Sequence, residues 1–186
     1  MFGIDALSHD SYTGVPKGEG DLAIWPTGYL NFSADATGLE GEIVLMPGDI
    51  VNDALHLVKS PVVLQIRGGN IIEIVGESSD ANLLKAQLES FADREHAYML
   101  KGFSIGLLYF RGDYFSGPFD PKKVNAIDTT LRGGWTTLNF GNDIANSLSV
   151  TLTSPNLLLD NVEIFLNGDF AATMEPDIYE LALMGL

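Results

Sequence analysis

The chain has 186 residues, of which 46% are apolar and 19% charged, and its 10 Lys and Arg against 25 Asp and Glu give a formal net charge of −15. This apolar fraction excludes an intrinsically disordered chain, and the length is sufficient for a continuous core. The negative charge argues against binding to nucleic acid or anionic lipid, because both are negatively charged themselves. The sequence contains no cysteine, which excludes disulfides and thiol catalysis.

The first part of the chain has no basic start and no long apolar run. We therefore predict no signal peptide and no membrane helix, and expect a cytoplasmic protein. Residues 1–20 are expected to form a loose N-terminal segment, residues 21–172 a single domain, and residues 173–186 a C-terminal tail.

From Asp21 onward, short apolar runs alternate with Gly, Asn, Asp and Pro, which is typical of strands and turns. The Gly68-Gly69-Asn70 turn between two β-rich runs predicts a hairpin. The predicted strands are residues 22–25, 29–32, 42–46, 54–58, 62–67, 71–75, 103–111, 135–140, 148–153 and 161–166, with a further short strand at 170–172.

One segment has a helical period. Ala81, Leu84, Leu88 and Phe91 recur at spacings of three and four, with polar residues between them. A helix capped by Ser79 and running to about residue 99 is predicted. The predicted fold is therefore α+β: a mixed, largely antiparallel β-sheet domain with one main amphipathic helix packed on it.

Linear motifs for catalysis are absent from the sequence. Its three histidines have no metal-ligand spacing, and its paired glycines do not match phosphate-binding loops. The alternative is an enzyme site formed by distant side chains that converge in the fold. The side chains considered for such a relocated site are His56, Asp128, Asp143 and Glu163.

Several local patterns occur in a recognisable order along the chain. They are WPTGYL at 25–30, GEIV at 41–44, RGGNIIEIVG at 67–76, SIG at 104–106, GWTTLNFG at 134–141 and NVEIFLNG at 161–168. Together they resemble the metal-binding domain of the aminopeptidase T family, which includes 2,5-dihydroxypyridine dioxygenase-like proteins. The resemblance covers roughly residues 20–170 and implies a truncated relative that lacks the family's larger N-terminal domain.

The resemblance also implies where metal ligands would stand. The family's first carboxylate falls on Tyr29, its second on Gly102 or Phe103, one histidine on Thr137, and a His-x-Asp pattern on residues 154–156 (Ser-Pro-Asn). None of these positions carries an imidazole or a carboxylate. Hydroxyls and amides alone bind a divalent cation too weakly to activate water. The resemblance thus predicts the family's fold, whereas the residues at its metal-ligand positions argue against the family's activity.

On this basis, the sequence predicts a pseudoenzyme: a non-catalytic, peptide-binding recognition or scaffold protein that presents a precursor peptide to modifying enzymes of a peptide natural-product pathway. The alternative is a metal-dependent hydrolase or dioxygenase-like enzyme with a relocated site. The predicted partner is a peptide or protein with basic residues, with no cofactor or metal and with a homodimer left open. The predicted binding residues are Trp25, Tyr29, Arg132, Trp135, Thr137, Ser154 and Asn156.

Overall fold

A computed structural model describes residues 8–12, 18–19, 29–33, 38–51, 56–91, 94–107, 133–141, 147–159 and 162–171. Of these residues, 56% lie in strands and 15% in helices. All of the strand pairs among them are antiparallel. The predicted α+β class with a mixed sheet is therefore wrong, because strands dominate the fold.

The largest sheet has seven strands. In spatial order they are β1 (Ser8–Tyr12), β2 (Tyr29–Ser33), β8 (Leu100–Gly106), β9 (Thr136–Gly141), β10 (Ser147–Leu152), β4 (Ile50–Val51) and β5 (His56–Leu57). The central strands alternate apolar and polar residues, as expected for a sheet with one face in the core. The pattern predicted five of these strands, but not β1 or β4.

A second sheet has the order β3 (Glu40–Leu45), β6 (Val62–Arg67) and β7 (Asn70–Val75). The predicted hairpin is confirmed, because β6 and β7 pair in antiparallel register on either side of Gly68 and Gly69. Both glycines have positive φ angles, 56° and 75°, a backbone conformation that suits glycine in tight hairpin turns. A third, smaller sheet contains β11 (Leu157–Leu159), β12 (Val162–Leu166) and β13 (Asp169–Phe170).

The helical segment is shorter than its pattern predicted. Helix α1 spans Ser79–Ser90, with Ser78 rather than Ser79 as its N-cap, and the Ser78 side chain accepts a hydrogen bond from the backbone N–H of Ala81. A separate short helix, α2, spans Arg94–Ala97. No helix among the described residues is long and apolar enough to cross a membrane.

One continuous core joins these elements. The apolar faces of the two larger sheets and one side of α1 pack together, and Phe140, Leu64 and Leu84 are fully buried in it. The two sheets also meet through the backbone next to α2, where Ile71 N donates to Tyr98 O and Leu100 N to Gly69 O. One face of the seven-stranded sheet therefore packs against the core, and its polar side chains lie on the other face.

Candidate functional site

The face of the seven-stranded sheet that points away from the core is polar. Antiparallel partners share a face, so the register places Asn31, Ser104, Thr137 and Thr151 in one row across four strands. Asn139 and Ser149 form the next row. We call these six residues the polar face.

Hydrogen bonds between neighbouring strands organise the polar face. Ser104 Oγ donates to Asn31 Oδ1 over 2.9 Å, Thr137 and Thr151 share a 2.8 Å hydroxyl–hydroxyl bond, and Ser149 Oγ donates to Asn139 Oδ1 over 3.1 Å. Ser104, Thr137 and Thr151 are buried. These groups are therefore held by one another with little contact with water. The same row continues on β1, where Asp10 is the register partner of Asn31.

The structure brings three of the predicted binding residues to one face. Tyr29 stands opposite Gly106 in the register, and Gly106 N donates to Trp135 O over 3.0 Å. Tyr29 and Trp135 therefore lie in the row beside that of Thr137, and both are half-buried. Trp25 and Arg132 lie outside the described residues.

Ser154 and Asn156 lie beyond the end of β10, outside the rows of the polar face. Ser154 is exposed and adjoins Gly168, at which an added Cβ would come within 3.0 Å of Ser154 Cα. Asn156 is also exposed, and its Oδ1 accepts a 2.7 Å hydrogen bond from Asn167 N. Both residues thus adjoin the turn between β12 and β13.

The positions where the resemblance places metal ligands do not fit a divalent cation in this chain. Gly102 has no side chain and no room for one, because an added Cβ would overlap the carbonyl of Phe32. Phe103 points into the core, where its ring stacks on Phe32 with centroids 4.7 Å apart. Thr137 is already bonded to Thr151. Among the described residues, no group of three or more His, Asp or Glu is placed to hold a metal ion.

The side chains considered for a relocated site do not come together in the described part of the chain. Glu163 is exposed on β12 of the small sheet, whereas His56 lies on β5 at the edge of the large one. Asp128 and Asp143 fall outside the described residues.

His56 instead pairs with a carboxylate that the sequence did not single out for chemistry. Its Nε2 donates to Asp80 Oδ1 over 2.6 Å, and Asp80 Oδ2 accepts from the backbone N–H groups of Lys59 (3.0 Å) and Ser60 (2.8 Å). Burial by itself raises the pKa of Asp80, but the hydrogen bonds from His56, Lys59 and Ser60, with the positive charge of His56, lower the pKa below its ordinary value overall. His56 is paired with Val51, which is paired with Val150. The pair thus stands on the core side of the sheet, opposite the polar face.

Sequence reasoning missed most of the polar face. Only Thr137 was singled out there, although a signal was present: Asn31, Ser104 and Thr151 alternate with apolar neighbours at a period of two. The alternation indicates strands, and its polar positions also define a second face of the sheet. That second inference would have identified the three residues.

Fold and site define this chain as an antiparallel β-sheet protein with a partly buried polar face. The family model NicX, 2,5-dihydroxypyridine 5,6-dioxygenase, matches residues 3–115, and the chain belongs to that family. The fold is similar to the solved structure of 2,5-dihydroxypyridine dioxygenase from Pseudomonas putida KT2440, with a TM-score of 0.68 and 24% sequence identity over 80% of this chain. The match covers 44% of that dioxygenase, so this chain corresponds to less than half of its length. No curated protein matches.

The family assignment corrects the functional prediction. The prediction of a pseudoenzyme is wrong, because the family and the structural neighbour are dioxygenases. These matches support the dioxygenase-like alternative. They do not support peptide binding or an aminopeptidase-like character. The relation to aminopeptidase T and the truncation of the chain stay predictions.

Proposed function

We propose that the chain functions as a dioxygenase-like enzyme on a hydroxylated aromatic ring, and that the polar face binds the ring. The observation that carries the proposal is the family match over residues 3–115. The location is supported by the register, which has Tyr29 and Thr137, two positions that the resemblance singled out separately, on one face.

The character of the polar face suits such a substrate. A hydroxypyridine ring is flat and uncharged, and its hydroxyl groups and ring nitrogen both donate and accept hydrogen bonds. Thr137 and Thr151 share a hydroxyl–hydroxyl bond, and a hydroxyl can both donate and accept. The bond from Ser104 occupies the amide oxygen of Asn31, which leaves the amide N–H groups to other acceptors.

The reaction that the family name implies needs no further reductant. Cleavage of the ring bond between carbons 5 and 6 of 2,5-dihydroxypyridine places both atoms of one O2 molecule in the product, so that the ring supplies the four electrons that O2 accepts. In this proposal the polar face binds the ring and orients its hydroxyl groups, and burial keeps water from competing for those hydrogen bonds. No step is assigned to a metal, since the residues at the implied ligand positions do not fit one.

Oxygen uptake by the purified chain tests the proposal. We expect uptake that depends on 2,5-dihydroxypyridine, and a fall of at least tenfold in kcat/KM for Thr137→Val, which removes a hydroxyl while keeping the shape of the side chain. Glu73→Gln, on an exposed position of β7, is the matched control and should retain the wild-type rate. Absence of uptake from the folded chain, both with and without added ferrous iron, would overturn the proposal.

A further inference from the structure

The turn between β12 and β13 contains the only Asn-Gly dipeptide of the sequence, Asn167-Gly168. The register pairs Leu166 with Asp169 on either side of it, so these two residues form a two-residue hairpin turn. Their φ angles of 53° and 82° are typical of a type I′ turn. Asn167 is exposed to solvent, and the residue after it has no side chain to obstruct its backbone nitrogen.

An asparagine that precedes glycine can react with its own backbone. The backbone nitrogen of Gly168 attacks Cγ of Asn167, and the new C–N bond closes a five-membered succinimide ring. The side-chain amide nitrogen leaves as ammonia and takes the proton of the Gly168 N–H with it. Water then opens one or the other of the two ring carbonyl bonds, which gives aspartate or isoaspartate. No electrons are transferred, and the only co-reactant is water.

Two hydrogen bonds from the segment before β11 hold this turn in place. Gly168 N, the attacking atom, donates to Pro155 O over 3.0 Å, and Asn167 N donates to Asn156 Oδ1 over 2.7 Å. Ring closure must bring Gly168 N next to Asn167 Cβ, whereas a type I′ turn has these two atoms nearly opposite each other about the Cα–C bond. The peptide group between the two residues must therefore rotate, and the bond to Pro155 breaks when it does.

We propose that Asn167 is a site of spontaneous deamidation and isomerisation, and that the bonds from Pro155 and Asn156 control its rate by keeping the turn closed. The reaction then proceeds from the open form of the turn, whose population depends on the strength of these two bonds. Isoaspartate adds one methylene group to the main chain within a two-residue turn, and either product adds a negative charge near Asp169. Modification therefore weakens the pairing of β12 with β13.

Peptide mapping by mass spectrometry measures the modification. The purified chain would be incubated at mildly alkaline pH, both folded in buffer and unfolded in guanidinium chloride. We expect Asn167 to be modified in both samples, but at least about fivefold more slowly in the folded chain, because two hydrogen bonds must break. Enzymatic methylation of isoaspartate with S-adenosylmethionine identifies the isomerised product. Asn82 is an internal control, since it is also exposed but precedes Leu83, and it should stay unmodified.

Substitution of Asn156 tests the restraint. Asn156→Ala removes the acceptor of the Asn167 N–H and should raise the rate in the folded chain by about 2- to 12-fold, the range for loss of one hydrogen bond. Ser154→Ala is the matched control, because it changes an exposed side chain of the same segment and leaves both bonds in place. It should be modified at the wild-type rate. In guanidinium chloride both variants should react as fast as the wild type, since the turn is absent there.

Three results would overturn the inference. They are equal rates in the folded and the unfolded wild-type chain, a folded Asn156→Ala variant that reacts no faster than the wild type, and formation of aspartate without isoaspartate, which would indicate hydrolysis without the ring. The comparison of folded and unfolded wild type keeps the test valid should Asn156→Ala fail to fold. Oxygen uptake does not enter any of these measurements, so the proposed dioxygenase activity is tested separately.

Discussion

His56 donates a 2.6 Å hydrogen bond to Asp80, which joins the edge strand β5 to the first turn of α1 across 24 residues of sequence. Asp80 is 1% exposed and also accepts two backbone N–H bonds, whereas His56 is 27% exposed. Burying a carboxylate is costly unless hydrogen-bond donors compensate for the lost water. The Asp80 carboxylate therefore stabilises the fold because the fold supplies three such donors. The pair therefore fixes the position of the helix against the sheet edge.

Loss of this carboxylate should destabilise the protein. We expect Asp80→Asn to lower the free energy of unfolding by about 2 kcal/mol at pH 7, because charge-assisted hydrogen bonds to a buried group are lost. Urea unfolding measures the change. Asp169→Asn, at an exposed position, is the control and should change stability by less than about 0.5 kcal/mol. Equal effects of the two substitutions would contradict the role given to Asp80.

The same pair predicts a pH dependence of stability. The pKa of Asp80 in the folded protein is lower than its ordinary value of 3.8, so its contribution to stability is present above about pH 4 and is lost as the pH falls through the folded-state pKa. The difference in unfolding free energy between wild type and Asp80→Asn should accordingly shrink between pH 5 and pH 3. A difference that stays constant over that range would show that the carboxylate charge is not responsible.

Gly102 should tolerate no side chain. We expect Gly102→Ala to lower the unfolding free energy by about 1–3 kcal/mol or more, since the added Cβ overlaps the carbonyl of Phe32 on the neighbouring strand. Gly38→Ala is the matched control, because a Cβ there meets nothing within 4 Å. Thermal unfolding of both variants decides the matter, and equal melting temperatures would refute the close approach of the two strands.

The hydroxyl bond between Thr137 and Thr151 should be measurable as a coupling energy. Thr137→Val and Thr151→Val each leave a polar group without this partner, whereas the double variant removes both halves of the bond. A double-mutant cycle on unfolding free energies should therefore give an interaction of about 0.5–1.5 kcal/mol. Strict additivity would indicate that the two hydroxyls do not bond to each other.

Strands and the hairpin were predictable because their signals are local. The alternation at 148–153 and the glycine turn before Asn70 each depend on neighbouring residues. The α+β class was wrong because one clear helical period was given as much weight as many short strands. The end of α1 at Ser90 was missed, since the apolar period continues to Phe91 and contains no glycine or proline to stop it.

The site was predictable only in part. Tyr29, Trp135 and Thr137 were found because the resemblance indicates positions along the chain, and the register does place them on one side of the sheet. The bond between His56 and Asp80 could not be predicted, because it joins two elements whose approach is determined by the core. The functional class was missed because lost ligand positions were interpreted as lost activity.

Oxygen labelling tests the central claim most directly. The purified chain would be incubated with 2,5-dihydroxypyridine under an atmosphere of 18O2, and the ring-opened product analysed by mass spectrometry. We predict two labelled oxygen atoms in each product molecule, with a loss of product in Thr137→Val. An unchanged ring, or a product whose added oxygen comes from water, would contradict the assignment of dioxygenase chemistry to this chain.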